Sequence, residues 1–511
     1  MAADQKPSNN KQRNTTRALR TDRMKQKHVS LKGFLGKMQK LEPLNLAKCG
    51  TVGELVDGMS RCSFGARMLG DVAATLVKWA SAKEKAIIIF GGDVRVFGPL
   101  LQEATKKGWF SAAESSDSFL AKKIRSKRAL VIGDYTRAEE LHAQIDELIF
   151  VNADGRCRPG QIKDGYFPNV VFADPGFIIP ILWSVLRERL DGVKVSIMAG
   201  LKDAARFGPI SHEVFRAVHV WEAMQRDKDC TVFMTLSGAM TVAQQSLLIC
   251  DMIEKERVDC VASTGALMAH GLIAGVGLSH YKYDPSYPDS ILATLGMNRV
   301  TDTLEPETNF DHIDDVMNAV LWDLDGKDHS PAHLHSAIGK YLSQHPQFGK
   351  VRGILRAAYE HKVPVVVPAF HDSEIGNDHF THNLLRKKKG MAPLIINQEL
   401  DTAKLLELFT GARRLGIISI GGGVPRNHIQ NLAPLTEIIN SRKAAKLPVK
   451  KFMYGCRIDP QLPWHGGMGG CTYEENMSWR KFFLKASTAQ LKMDASIAWP
   501  FIQKGLDEQT D

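Results

Sequence analysis

Short apolar runs alternate with helix-length amphipathic stretches along most of this chain. The runs span four to seven residues, are rich in β-branched side chains, and lead into turns containing Gly, Asp or Ser. This alternation is typical of βα units. It predicts an α/β fold with a doubly wound, mostly parallel, Rossmann-like sheet that carries helices on both faces. The clearest units lie at 86–108, 128–145, 170–190, 230–256, 259–275, 363–378 and 415–439.

The turns after these strands are the expected ligand-binding edge, because ligands of parallel sheets gather at the carboxyl ends of the strands. Asp372 and Glu374 fall on this edge. A triple glycine, 421–423, follows the run LGIISI and precedes a helix. Such a turn exposes backbone N–H groups to a cofactor, although a tight strand-to-helix turn has the same sequence.

Charge adds a separate N-terminal feature. Residues 1–40 contain eleven Lys or Arg and two Asp, a net charge of +9, whereas the whole chain carries +10. We therefore predict a basic, disordered tail over 1–45, attached to an almost neutral body. A tail of this kind binds nucleic acid, an acidic membrane or a targeting receptor, or is simply solvated. Nucleic acid binding by the rest of the chain is not expected.

Composition places the protein in the cytoplasm and away from membranes. No apolar run reaches the roughly 18 residues that span a bilayer, and no apolar signal segment is present near residue 1. The eight cysteines are scattered without a CxxC pair, which predicts free thiols in a reducing compartment. His371, His379 and His382 lie close together, but no second ligand cluster supports them, so no metal site is predicted.

The segment 466–482, GGMGGCTYEENMSWRKF, carries the densest candidate chemistry. Its glycines allow a ligand to approach the backbone closely. Glu475 and Trp479 would attract a cationic amine, by charge and by cation–π interaction. Lys481 would serve as a nucleophile if its amine were held neutral. The alternative roles are a helix-start acid for Glu475, a core aromatic for Trp479 and a solvated surface cation for Lys481.

Seven motifs in order resemble the deoxyhypusine synthase family, with features of its bacterial branch. They are VFMTLSGAM (232–240), STGALMAHGL (263–272), GMNRVTDTLEPETNF (296–310), VPVVVPAFHDSEIGND (363–378), ISIGGGVPRN (418–427), ENMSWRKF (475–482) and KMDASIAWPFI (492–502). We therefore predict an N-terminal helical section at 46–84, an inserted α/β segment at 85–205 and an NAD-binding, deoxyhypusine synthase-like domain at 206–505. The insertion has no counterpart in the family pattern.

The resemblance implies an NAD-dependent aminobutyl transfer. In that family a hydride passes from spermidine to NAD, and a lysine then captures the aminobutyl group as an imine. The acceptor is a lysine of a translation factor, which gives deoxyhypusine, or putrescine, which gives homospermidine. The resemblance leaves these two acceptors open. It also implies a homotetramer with sites at subunit interfaces.

The resemblance further implies roles for individual residues. Lys481 takes the position of the imine-forming lysine. The expected substrate-binding residues are Trp479, Glu475, Asn377 and Asn427. The expected cofactor-binding residues are Ser237, Ser263, Thr264, Gly265, Asp372, Gly421, Gly422, Gly423 and Asp494.

Several positions depart from the family pattern. Asn427 replaces a histidine, Ala269 and Asn377 replace acids, and the loop 465–470 lacks the expected aspartates. Arg480 replaces a glycine between the tryptophan and the lysine. The alternative hypothesis is therefore a catalytically degenerate paralogue, which binds NAD or regulates an active homologue in a hetero-oligomer.

Overall fold

The computed structural model describes residues 30–91, 95–115, 127–133, 145–152, 169–325 and 328–510. Most of the predicted basic tail lies outside these residues. Its predicted end at residue 45 is wrong, because residues 30–45 are packed against the body. Phe34, Leu41 and Leu44 are buried there, and Lys40 forms a β-bridge with Tyr281.

The helices and strands alternate as the sequence pattern predicts over most of the described chain. The helices are α1 (Leu31–Leu35), α2 (Val52–Met59), α3 (Phe64–Ser81), α4 (Gly98–Lys106), α5 (Pro175–Asp191), α6 (Ile197–Ala204), α7 (Pro209–Arg226), α8 (Ser246–Glu254), α9 (Gly265–Gly275), α10 (Asp289–Thr294), α11 (Thr308–Asp323), α12 (Pro331–Gln344), α13 (Ile354–Glu360), α14 (Glu374–Lys388), α15 (Gln398–Gly411), α16 (Val424–Gln430), α17 (Leu432–Ser441), α18 (Tyr473–Ser478) and α19 (Ala495–Thr510). The strands are β1 (Ile87–Phe90), β2 (Ala113–Ser115), β3 (Arg128–Ile132), β4 (Glu147–Asn152), β5 (Val170–Phe172), β6 (Cys230–Leu236), β7 (Cys260–Ser263), β8 (Tyr281–Lys282), β9 (Met297–Val300), β10 (Thr303–Pro306), β11 (Asp328–His329), β12 (Val365–Val366), β13 (Ile395–Ile396), β14 (Arg414–Ile420), β15 (Phe452–Ile458) and β16 (Phe482–Leu491).

The larger sheet has six parallel strands in the order β12-β7-β6-β14-β15-β16. Counted along the chain this is 3-2-1-4-5-6, the strand order of dinucleotide-binding Rossmann folds. From β6 the chain winds one way through β7 and β12, and from β14 it winds the other way through β15 and β16. The order therefore reverses between β6 and β14, where a ligand crevice is expected.

Helices cover both faces of this sheet, which confirms the predicted fold class. Side chains of β6 alternate between two hydrophobic clusters: Met234 belongs to the first and Phe233 to the second. The first cluster contains residues of α7, α8, α9 and α19, and the second contains residues of α15, α16 and α17. This burial on both faces explains why the strands are almost continuously apolar.

A second parallel sheet, in the order β2-β1-β3-β4-β5, lies within the predicted inserted segment. Its order, 2-1-3-4-5, is the other common doubly wound arrangement. Helix α3 packs on β5 and α5, and α19 packs on α3 and α7. One hydrophobic cluster thus extends from this sheet to the larger one.

Two small sheets complete the fold. Strands β8, β10 and β9 form an antiparallel sheet, and β11 pairs with β13. Across the described ranges, no helix is both long and apolar enough to cross a bilayer. The seven cysteines within those ranges are free thiols.

Candidate functional site

A cavity of about 370 Å³ lies at the point where the strand order reverses. Five neighbouring strands contribute to its walls through the residues that follow their carboxyl ends, as the sheet topology requires. The lining residues are Ser237, Thr264, Gly265, Ala369, Asp372, Gly422, Gly423, Val424, Pro425, Asp459, Gln461, Met468 and Gly469. Six of the nine predicted cofactor-binding residues are in this wall.

The triple glycine allows two loops to close over one another. Gly421 and Gly423 have φ values of +79° and +75°, in the region that favours glycine. A Cβ on Gly422 would lie 2.3 Å from the Cα of Gly469. A Cβ on Gly423 would meet no atom within 4 Å, so that backbone faces open space at the cavity.

Lys481 is buried and is not itself a lining residue; it contacts α16, whose first residues, Val424 and Pro425, line the cavity. Only 7% of its surface is exposed, and its Nζ donates a 2.9 Å hydrogen bond to Oδ1 of Asn427 on α16. Burial lowers the pKa of Lys481, and the positive charge of Arg426 lowers it further. A lower pKa increases the fraction of the neutral amine, which is the nucleophilic form.

Two buried arginines near Lys481 were missed in the sequence. Arg426 and Arg457 are each 2% exposed, and Arg426 donates to the carbonyl of Met468 while Arg457 donates to that of Cys471. Burial lowers the pKa of Arg457, and Arg426 adds to this effect. The signal was available only for Arg457, which lies inside the strand sequence FMYGCRI, where a cation is unusual.

Asp459 and Gln461 are also cavity residues that the sequence prediction omitted. They follow the buried strand β15, whose sequence FMYGCRI mixes apolar and polar residues. The Gln461 backbone N–H donates to the Asp459 carboxylate at 2.8 Å. The position directly after a buried strand was the signal that would have found them.

Glu475 has a structural partner in the helix that leads to Lys481. Thr472 and Glu475 form a reciprocal capping box at the start of α18: the Thr472 hydroxyl accepts from the Glu475 N–H, and the Glu475 carboxylate accepts from the Thr472 N–H. This box satisfies two N–H groups of the first turn. Glu475 is exposed, and its predicted contact with a substrate amine stays a prediction.

Arg480 occupies a left-handed backbone position, with φ of +59°. Glycine is favoured there, which explains the family pattern at this site. The Arg480 guanidinium is exposed and donates to Oε2 of Glu437 on α17 at 2.8 Å. It is therefore directed toward α17, whereas the Lys481 amine is directed toward Asn427.

The remaining predicted substrate residues lie outside the cavity wall. Trp479 is 68% exposed, so it is not a core aromatic. Asn377 is exposed in the first turn of α14. Neither side chain borders the cavity formed by this single chain.

Three predicted cofactor residues, Ser263, Gly421 and Asp494, are absent from the cavity wall. Ser263 is buried, and its hydroxyl donates to the carbonyl of Thr264. The Asp494 carboxylate accepts hydrogen bonds from the N–H and hydroxyl of Ser496 at the start of α19. A Cβ on Gly65 would lie 2.1 Å from it, so Asp494 sits where α3 meets α19.

Two of the histidines that lie close together in sequence, His379 and His382, make separate contacts. His379 Nε2 lies 3.1 Å from the carbonyl of Leu394, and the ring of His382 packs edge-on against Trp322. These contacts give no convergent metal site.

Comparison with known proteins shows extensive similarity to one family. The family model described as "Deoxyhypusine synthase" matches residues 201–506. "Probable deoxyhypusine synthase 2" of Archaeoglobus fulgidus is 32% identical over 302 residues, which cover 59% of this chain and 95% of that protein. The protein of the same name in Methanosarcina acetivorans is 29% identical, with coverages of 67% and 92%. A "Deoxyhypusine synthase-like protein" of Coxiella burnetii is 27% identical, with coverages of 53% and 74%.

Proposed function

Because this chain belongs to the deoxyhypusine synthase family, we propose that it transfers the 4-aminobutyl group of spermidine to an acceptor amine through an imine on Lys481. The observation that carries the proposal is the environment of Lys481. Lys481 is buried against the helix that begins at the cavity wall, its pKa is lowered by burial and by Arg426, and Asn427 accepts a hydrogen bond from its amine. These conditions favour a neutral, positioned nucleophile.

The cavity walls fit NAD as the cofactor. The Gly423 backbone borders open space, and Ser237, Thr264 and Gly265 lie across the crevice from it. The Asp372 carboxylate reaches the same cavity and would accept hydrogen bonds from ribose hydroxyls. When bound, NAD would accept a hydride from spermidine and later return it.

The residues of the protein carry out the transfer of the aminobutyl group. The neutral Lys481 amine adds to the imine carbon of oxidised spermidine, and the bond from that carbon to the aminopropyl nitrogen breaks. Lys481 loses both N–H hydrogens as its imine forms, and the departing nitrogen gains both and leaves as the primary amine of 1,3-diaminopropane. An acceptor amine then displaces Lys481 by the same exchange. Asn427 holds Nζ in place but, as an amide, takes no proton.

Trapping with borohydride tests this proposal. Incubation with spermidine and NAD followed by borohydride should leave an aminobutyl group on Lys481, detected by peptide mass spectrometry. Lys481→Arg should abolish the adduct. Lys485→Arg is the matched control, since Lys485 lies four residues further along, in β16, but is exposed, and it should leave the adduct unchanged. An unmodified Lys481 in the wild-type protein would refute the imine mechanism.

The acceptor is tested separately with labelled spermidine. Transfer of label to putrescine would give homospermidine, and transfer to a lysine of a translation factor would give deoxyhypusine. Both reactions need only an amine that reaches the Lys481 imine. Since the family includes proteins named for deoxyhypusine synthesis, a protein lysine is the acceptor to assay first.

A second candidate function is a non-catalytic paralogue that binds NAD or regulates an active homologue. The contact between Lys481 and Asn427 favours it, because the family resemblance places a proton-transferring histidine there and an amide cannot replace it. A protein of this kind would bind NAD in a calorimetric titration and give no borohydride adduct.

A further inference from the structure

Three potential metal ligands that are distant in sequence converge outside the cavity. His270 lies in the middle of α9, His280 directly precedes β8, and Glu305 lies in β10. Their ligand atoms all lie within 4.8 Å of one another. In the part of the chain that the structure describes, this is the only group of three or more His, Cys, Asp or Glu with that geometry.

The three side chains are enclosed by the fold. His280 is 1% exposed, Glu305 is 2% exposed, and the His270 side chain is largely buried. His270 Nδ1 lies 2.7 Å from one carboxylate oxygen of Glu305, and His280 Nε2 lies 3.5 Å from the other. The carboxylate thus stands between two imidazole rings.

Both histidines lie within ion-pair distance of the Glu305 carboxylate. His270 Nδ1, His280 Nε2 and Glu305 Oε1 are buried, and none of them has a well-aligned hydrogen bond among the described residues. Buried polar atoms without an aligned hydrogen bond are uncommon in folded proteins. Two imidazole nitrogens and one carboxylate that converge on one point are a set that a metal ion satisfies, in competition with the metal-free ion pairs.

We propose that His270, His280 and Glu305 bind one divalent transition-metal ion of the zinc class. Two imidazole nitrogens and one carboxylate form a ligand set that suits Zn²⁺, Fe²⁺, Co²⁺ or Ni²⁺ rather than Ca²⁺ or Mg²⁺. With ligand bonds of about 2.0–2.1 Å, tetrahedral geometry places ligand atoms about 3.3 Å apart. The observed separations bracket this value, so small side-chain movements suffice. Water completes the fourth position.

The ion would brace one wall of the cavity. Helix α9 begins at Gly265, which lines the cavity next to Thr264, and His270 follows within the same helix. Glu305 and His280 belong to the antiparallel sheet and the segment that enters it. The metal would therefore hold α9 against that sheet. A metal-free hydrogen-bonded triad is the competing arrangement, and metal binding itself distinguishes the two.

Metal analysis and cobalt spectroscopy test the site independently of any transferase activity. The full chain, purified without a histidine tag, should contain about one equivalent of zinc by mass spectrometry. After chelation, titration with Co²⁺ should give saturable visible d–d bands at one equivalent. Glu305→Gln and His280→Gln should each weaken Co²⁺ binding by at least about 100-fold, because removing even an outer partner costs 10–100-fold.

His382→Gln is the matched control. His382 is equally buried, and its ring nitrogens also lack hydrogen-bond partners, but it belongs to no convergent group. This variant should bind Co²⁺ like the wild type. The proposal is overturned if the wild-type chain shows no saturable cobalt bands, a measurement that needs no variant to fold. Wild-type affinity in both ligand variants would overturn it as well.

Discussion

At the scale of single residues, charge and burial decide what Lys481 does. A lysine next to an arginine in sequence is ordinarily a solvated cation, and Arg480 indeed pairs with Glu437 at the surface. Lys481 itself turns inward and meets Arg426, which is distant in sequence but adjacent in space. The neighbour that matters for its pKa is therefore the buried arginine.

Removing Arg426 should raise the pKa of Lys481. The wild-type rate of imine trapping should increase with pH, with an inflection below 10.5, the ordinary lysine pKa, since burial and Arg426 both lower that of Lys481. Arg426→Met should move this inflection to higher pH. Arg480→Gln is the control, because Arg480 is not among the groups that lower the Lys481 pKa. Equal inflections in all three proteins would contradict this electrostatic coupling.

Glu475→Gln should separate capping from substrate binding. An amide oxygen still accepts the Thr472 N–H, so we expect an unchanged free energy of unfolding. The negative charge is lost, so we expect KM for spermidine to rise several-fold. Thr472→Ala should instead lower the free energy of unfolding by about 1 kcal/mol through loss of the cap. An unchanged KM in Glu475→Gln would limit Glu475 to the helix cap.

At the scale of elements, the turn from α18 to β16 positions the lysine. The capping box starts α18 at Tyr473, the left-handed residue Arg480 reverses the chain, and Lys481 then precedes the first residue of β16. The Lys481 N–H donates to the carbonyl of Asn476, and its carbonyl accepts from Phe452. The backbone of Lys481 is thus held by both the helix and the sheet.

The effect of a substitution at Arg480 on the free energy of unfolding should depend on how readily the new residue adopts a left-handed backbone conformation. Arg480→Gly and Arg480→Val both remove the ion pair with Glu437, so their difference isolates the left-handed φ. We expect the valine variant to have a free energy of unfolding about 1–2 kcal/mol below that of the glycine variant. Urea denaturation measures it. Similar stability of the two variants would show that the turn relaxes to another conformation.

At the scale of the whole molecule, the segment that contains Lys481 carries several exposed apolar side chains, one of which, Met468, also lines the cavity. Between residues 464 and 484, Trp464, Met468, Trp479, Phe483 and Leu484 are all exposed, with Leu484 at 85%. Exposed apolar side chains at this density mark an interaction surface. Trp479 and Asn377, which do not border the cavity of one chain, would then meet substrate only within an assembly.

We expect the protein to form a homo-oligomer through this surface. Light scattering coupled to size-exclusion chromatography should give a mass above that of one chain, and Leu484→Glu should reduce it. Val193→Glu is the control, because Val193 is half-exposed at a distant position after α5. A wild-type mass equal to one chain would contradict the predicted assembly.

Sequence alone determined the features that depend on local order. The alternation of apolar runs predicted the parallel α/β fold, because burial on both faces makes strands continuously apolar. The ordered motifs identified the family. The glycine turn and Lys481 could be found because each lies within a motif that is continuous in sequence. Six predicted cofactor residues lie together at one edge of the sheet, because the carboxyl ends of its parallel strands share that edge.

Only the tertiary structure decided which distant residues share an environment. In the structure, Lys481 contacts Asn427 and lies near Arg426, and Asp494 lies where α3 meets α19. Residues 30–45 pack against the body. The fold also brings His270 and His280 to Glu305. These contacts depend on how helices and sheets pack. A sequence pattern reports the period of each element, but it does not report which elements meet.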